Sequence, residues 1–412
     1  MKKIIVITLA LMMVAGLAYA EDRLSLSGSL FVRGWDEEGY SAKYSKSYDS
    51  NDEQGFWEQR FRLGGKIAVA DDVSVNFRMD LGEGIWGQDY TQGSVARPGT
   101  GNPDRVNTKL DIDRAYIHIN KAHWELVAGQ QFQGLGILQV YDVNSTGFTF
   151  RLKFDPVKVS LLYARFDEGG ATTDDGVTED TDRYGFNVSY TTDKFDGNFF
   201  YIMGNDGTPV DDSPWAFGLN GSLALGMMNL TGELAYLGGD TAAGAMDYVG
   251  LQAYLGANAN ITETIKLGGD IYYAQGTDDA TETQLTNLGD WDDFTPFSFV
   301  GVPEIVAFVS AFPSWDAFDP FGISGGVIGA DIYAEFALIE KLKFGARVGY
   351  FQPSEDANQP GAELIAYNAW INYTIATNTD LGLYYMVSSV DDDSATSFDD
   401  ARVAIIQLAT AF

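Results

Sequence analysis

The sequence predicts an all-β chain folded as a transmembrane antiparallel β-barrel of eighteen strands, with short turns at one end and long loops at the other. Three observations carry that expectation. A two-residue hydrophobic period persists through most of the chain, the connections alternate between short and long, and an export signal precedes a chain without a further apolar run long enough for a membrane helix. Composition agrees. Among 412 residues there are 46 Gly but only 11 Pro, and aromatics reach 14%, which suits many strands with aromatic faces.

The first element is the leader. Lys2 and Lys3 form a basic start, residues 4–17 an apolar segment, and Ala18-Tyr19-Ala20 a small-x-small cleavage pattern. That segment is shorter than the roughly 20 residues a helix needs to cross a bilayer. Position 21 is Glu rather than Cys, which excludes a lipid-anchored lipoprotein. The expected organisation is a signal peptide over 1–20 and one barrel over 21–412.

The strands follow. In Val73-Ser74-Val75-Asn76-Phe77-Arg78-Met79-Asp80-Leu81 every odd position is apolar and every even one polar; 148–154, 184–190 and 342–348 repeat the pattern. A soluble sandwich also alternates. The distinguishing feature is an apolar face of Phe, Tyr, Trp, Leu and Val about ten residues long in strand after strand, close to the roughly 9–11 residues of a tilted membrane crossing. Aromatics fall toward both strand ends, as two interfacial girdles require: Trp57, Phe61, Tyr163, Tyr184, Trp215, Tyr236, Tyr273, Tyr350 and Tyr385 toward the loops, Trp124, Phe154, Tyr190, Phe195, Phe336, Tyr373 and Phe412 toward the turns.

Connections come next. Tight turns fall at 70–72, 120–122, 155–156, 192–193, 226–227, 262–264, 339–341 and 376–378. Longer loops lie near 35–54, 83–106, 132–145, 167–182, 204–213, 238–246, 276–326, 352–361 and 389–399. Eight turns and nine loops join eighteen strands. A sandwich has no reason to sort connections by length, whereas outer-membrane barrels place turns in the periplasm and loops outside.

The chain finishes on a strand, 404–412, with an aromatic last residue, Phe412, the expected signal to the outer-membrane assembly machinery. Residues 58–66 (Glu-Gln-Arg-Phe-Arg-Leu-Gly-Gly-Lys), 110–119 (Leu-Asp-Ile-Asp-Arg-Ala-Tyr-Ile-His-Ile) and 124–131 (Trp-Glu-Leu-Val-Ala-Gly-Gln-Gln) resemble early strands of 16- to 18-stranded Gram-negative outer-membrane porins. The phosphate-selective and alginate-export groups are the most similar. The resemblance implies an outer-membrane barrel in contact with lipid and lipopolysaccharide, commonly a homotrimer. Outward Gly65, Gly197, Gly221 and Gly232 would permit close barrel contacts.

Function must then lie on the inward face, whose charges are unevenly placed. Strands in the first half carry Arg33, Arg60, Arg62, Lys66, Arg78, Arg114, Arg151, Lys153 and Arg183 in the polar phase, against Glu58, Asp80 and Glu125, with Asp111 and Asp113 near the rim. The second half reverses the balance with Asp196, Glu233, Asp270, Asp331, Glu335 and Asp380 against Lys266, Lys343 and Arg347. A basic wall facing an acidic one sets a transverse field across a water-filled lumen. Pairing between neighbouring strands would instead brace the wall. Arg33, Arg60, Arg62 and Arg78 form the densest basic group and are the expected solute contacts.

The remaining features mostly exclude. With no Cys there is no disulfide, thiolate metal site or cysteine nucleophile. Net charge −32 makes nucleic-acid binding untenable. His118 and His123 are the only histidines; neither is placed for barrel hydrolase chemistry, so no enzyme activity and no cofactor are expected. Acidic loop clusters such as 167–182 match no calcium-loop spacing and read as solvated surface, so no metal is expected. Loop 276–326 turns apolar and aromatic after an acidic start, with Phe297, Phe299, Phe308, Phe312, Trp315 and Phe318. Such a loop can fold into the lumen as a constriction, cover the barrel mouth or make a subunit contact. An ordered lid or subunit contact is favoured because an apolar plug would narrow a water-filled pore, and 304–312 could form a short helix. The function expected is passive diffusion of small hydrophilic solutes and ions. The alternative is a channel selective for anionic solutes or oligosaccharides through the Arg cluster.

Overall fold

The computed structural model describes residues 23–38, 53–86, 110–137, 140–167, 181–205, 212–241, 246–289, 325–355, 361, 363–391 and 401–412. Its strands are β1 Leu24–Glu38, β2 Glu53–Ala70, β3 Val73–Ile85, β4 Leu110–Asn120, β5 Trp124–Leu135, β6 Tyr141–Phe154, β7 Val157–Asp167, β8 Thr181–Thr191, β9 Phe195–Asn205 and β10 Trp215–Leu225. They continue as β11 Met228–Asp240, β12 Asp247–Asn260, β13 Ile265–Ala274, β14 Glu282–Gln284, β15 Val327–Ile339, β16 Leu342–Gln352, β17 Glu363–Ala376, β18 Thr379–Asp391 and β19 Ala401–Ala411. Among the described residues there is no helix.

Every strand except the three-residue β14 pairs antiparallel with its two neighbours, and β1 pairs with β19 from Ser29↔Ala411 to Glu38↔Arg402. The wall is therefore a closed barrel of eighteen strands, as the sequence predicts, with no free edge to leave backbone groups unsatisfied in lipid. Phe412 completes the seam: its carbonyl accepts from the Gly28 amide at 2.9 Å and its amide donates back at 3.0 Å. All eight predicted turns join consecutive strands. Several strands run further toward the loop end than the polar composition suggests; β2 begins at Glu53 and β11 reaches Asp240. The predicted helix over 304–312, the apolar part of its loop and most of the acidic loops lie outside the described residues.

Alternation decides the two faces. Outward positions are exposed apolar residues such as Leu219, Leu255 and Ile332. Of the predicted girdle residues, Trp57, Tyr184, Tyr236, Tyr350, Tyr385, Phe154, Tyr190, Phe195, Tyr373 and Phe412 are exposed, whereas Phe61, Tyr163, Trp215, Tyr273, Trp124 and Phe336 are half-buried. Bilayer contact, not a protein core, is the environment such a surface requires. Across the sheet, aromatic rings lie over glycines. On the inner face the indole of Trp370 covers its register partner Gly345, where a Cβ would come 2.1 Å from the ring. Trp370 is buried and its ring rigid, so Gly345→Val should destabilise the barrel by about 1–3 kcal/mol. The measurement is the temperature at which the folded electrophoretic band converts to the unfolded one. An unchanged temperature would refute the packing argument.

Candidate functional site: the barrel lumen

The inner wall of β1–β8 is basic. The structure buries the loop-end part of the expected Arg cluster. Arg33 is 0% exposed, stacked 3.7 Å from the Phe31 ring, with its Nε donating to Gln407 and a terminal nitrogen 3.4 Å from Glu58. Glu58 also accepts from Trp35 Nε1 at 2.9 Å. Arg60 is buried too, 4.9 Å from the same Phe31 ring, its register partner. These two arginines brace the seam between β1, β2 and β19, a correction to their expected role as solute contacts. Arg62 and Arg78 retain 23% and 22% of their side-chain surface. Arg62 forks onto Asp80 at 2.7 and 2.8 Å, and Arg78 pairs with Asp113, which the register shift between β3 and β4 leaves as the extra residue of a bulge. Toward the turns Arg151 donates to Glu125 at 2.6 Å, with His118 and Lys153 also within reach of that carboxylate. Lys66 is an exposed lysine at the same end. Lys158, in phase with Ser160 on β7, joins this group. Alternation alone would have placed it; the apolar Leu162 on the same face obscured it.

The facing wall is acidic but largely self-neutralised. Arg347 on β16 is 4% exposed at its side chain and forks onto Asp331 at 2.6 Å through Nε and a terminal nitrogen. It also reaches Asp270 Oδ2 at 2.6 Å, while Tyr272 and Tyr254 donate to Asp331 and Asp270 at 2.5 and 2.8 Å. Asp270 and Asp331 are register partners, so one guanidinium holds together two carboxylates that would otherwise repel. Glu335 takes Lys266 at 2.9 Å, and Asp196 accepts from Thr191 at 2.8 Å.

Two segments cross between these walls. β4–β5 pairing stops at Ala115↔Gln130 and β6–β7 pairing stops at Thr146↔Arg165, yet β5 and β6 stay paired up to Leu135↔Tyr141. The hairpin above residues 130 and 146 has thus left the wall. Its contacts show where it goes: Arg114 of β4 donates to Asn144 at 2.8 Å, and Glu233 of β11 accepts from the Ile137 amide. Gly136 makes the approach possible; its φ of +87° and a would-be Cβ 2.6 Å from Glu233 Oε1 both require glycine. The inner side of the hairpin, with Leu135, Tyr141 and Val143, is buried in one cluster with Leu162, Ala164, Phe200 and Ile202.

The second segment follows β14, which lies parallel to the start of β12. From there 285–289 runs inward. The Gln252 side chain donates to Thr286 O at 2.6 Å, Leu288 N donates to Val140 O at 2.9 Å, and Arg183 Nε donates to Leu288 O at 2.9 Å. The described part of the longest loop therefore enters the lumen, the constriction alternative for this loop rather than the favoured lid or subunit contact. The hairpin was not legible as such, because 132–145 read as a polar loop.

Solved structures share this architecture. OccAB3 of Acinetobacter baumannii is 12% identical with a TM-score of 0.60, covering 94% of this chain and 99% of that one. A BenF-like porin from Pseudomonas fluorescens Pf-5 is 11% identical with a TM-score of 0.60, covering 95% and 99%, and OccK9 (OpdG) of Pseudomonas aeruginosa is 12% identical with 0.59, covering 95% and 98%. At such identities the likeness is one of fold. No curated protein sequence matches the chain. The Gram-negative porin family model matches residues 8–290. With that match spanning most of the sequence of a closed eighteen-strand barrel, the chain belongs to the Gram-negative porin family and forms a channel of the outer membrane.

Proposed function

We propose that the lumen favours small anionic solutes, which follow the basic wall of β2–β8 past the hairpin. The observation that carries this reading is Arg114. It stands beside Arg78, its register partner, and its Nε is held by the neutral amide of Asn144. It therefore keeps more of its field than a guanidinium locked on a carboxylate. Arg62, Arg78, Arg114, Arg151, Lys153 and Lys158 give successive positions along one wall, while three of the opposite carboxylates, Asp270, Asp331 and Glu335, are occupied by Arg347 and Lys266. Net charge alone would suggest cation preference; the distribution supports the opposite.

Reversal potentials in a salt gradient test this. The wild type should favour chloride over potassium, and the double variant Arg62→Ala, Arg114→Ala should lower that ratio by at least about threefold, roughly the effect of losing two partly screened charges. An unchanged ratio would defeat the reading. Arg183 contributes differently, by holding Leu288, and Arg33, Arg60, Glu58 and Asp80 act as braces. The leader over 1–20 is removed on export, Phe412 serves as the assembly signal, and the girdles face lipid and lipopolysaccharide in a homotrimer. Intact mass and native mass of the purified protein check both the cleavage and the trimer.

A further inference from the structure

Beneath the tip of the hairpin the lumen wall opens into a cavity of about 420 Å³. Its floor is made by inward side chains of four neighbouring strands, β8 to β11: Asn187, Asn198, Asn220, Ser222 and Thr231, with Asp196 at one edge. The roof is Leu135, Gly136 and Ile137 of the hairpin, and Phe200 closes one side. None of the basic residues that line the anion path borders it. The volume lies in the range of about 300–1,000 Å³ usual for small-molecule sites.

The floor is made of neutral amides and hydroxyls, with one carboxylate at its edge. The three asparagines form a chain: Asn187 Nδ2 approaches Asn198 Oδ1 at 3.5 Å, and Asn198 Nδ2 donates to Asn220 Oδ1 at 3.1 Å and to Asp196 Oδ1 at 3.3 Å. That chain fixes the amide orientations and leaves defined groups over. Asn187 Oδ1 is a buried acceptor without a hydrogen-bond partner. The Asn220 amide donors and the hydroxyls of Ser222 and Thr231 make no side-chain hydrogen bond among the described residues. Two walls of the same cavity are apolar, from Leu135, Ile137 and Phe200.

We infer that this alcove is a binding subsite for a polyhydroxylated solute of monosaccharide size. A hydroxyl is donor and acceptor at once, so it satisfies amide oxygens, amide hydrogens and Ser/Thr hydroxyls alike. Asp196 adds an acceptor for a hydroxyl pair, and the apolar walls suit the C–H face of a ring. Anionic groups are disfavoured there by Asp196 and by Glu233 above the roof, so the alcove and the basic wall sort solutes by different chemistry. The inference rests on the channel reading but not on anion preference.

The test is ion current through the full-length protein in planar bilayers with glucose as the probe. Triethylene glycol serves as a small comparison lacking a hydroxyl array, and cadaverine as a cationic one. Glucose should reduce the current at concentrations where triethylene glycol and cadaverine do not. Thr231→Val, which keeps the side-chain shape, and Asn220→Leu should each raise the half-blocking concentration about 2–10-fold, the worth of one net hydrogen bond. A folded-band assay confirms that both variants assemble, and either alone suffices. Equal reduction by triethylene glycol, stronger block by cadaverine, or glucose block unmoved in an assembled variant overturns the inference. Absence of any current from assembled wild-type protein would defeat the channel reading itself.

Discussion

Arg347→Ala is expected to destabilise the barrel by about 3–5 kcal/mol, the cost of stripping a buried ionic cluster of the one cation it holds among the described residues. The side chain is 4% exposed and touches both Asp331, itself 0% exposed at its side chain, and Asp270. Those carboxylates are cross-strand partners. Without the guanidinium they become two like charges in contact, with Tyr272 and Tyr254 as their remaining donors. The result should appear as a lower urea midpoint for the detergent-solubilised protein. Arg347→Ala combined with Asp331→Asn should recover part of the loss, because the repulsion goes with the charge. If the single variant unfolds with the wild type, the cluster is not structural.

A second large effect is expected on conductance. The hairpin and the segment 285–289 meet at Val140 and Leu288 and are fastened to the wall at β11 and β8, by Glu233 at Ile137 and by Arg183 at Leu288. Glu233→Ala with Arg183→Ala removes both fastenings and leaves an amide and a carbonyl in need of water. The freed segments should spend time outside the cross-section, raising single-channel conductance at least about twofold and adding current noise, since conduction follows the open cross-section. Each single variant should give a smaller rise. Conductance equal to wild type in the double variant would mean that apolar packing of Leu135, Tyr141 and Val143 alone holds the constriction.

The wall was legible in the sequence because its rule is local. Period two assigns each residue to lipid or lumen, and the tight turns punctuate it; Val73 to Leu81 states both faces in nine residues. Bracing between strands was less legible, since register depends on connections. Asp270 and Asp331 face each other only after the long loop between β13 and β15 has closed, and nothing local in either strand announces it. The hairpin was hidden for another reason. The turn-end part of β5 lies in the wall and its loop-end part stands in water, so one strand changes environment where its neighbours stop pairing. Phe132 illustrates the change: it is exposed not to lipid but beside Arg114, 4.9 Å away. The alcove was missed because amides carry no charge to count, although Asn187, Asn198 and Asn220 all stand in the inward phase.

The pairing of Phe412 with Gly28 has a consequence for biogenesis. The last strand of the barrel closes onto the first, across most of the chain. Until that happens, β1 and β18 each present an open ladder of backbone donors and acceptors. A chain truncated before β19 therefore has no smaller barrel to settle into, and its two raw edges mark it for proteases. Closure is therefore a single late step, since the free edges of β1 and β18 stay unpaired until β19 lies between them.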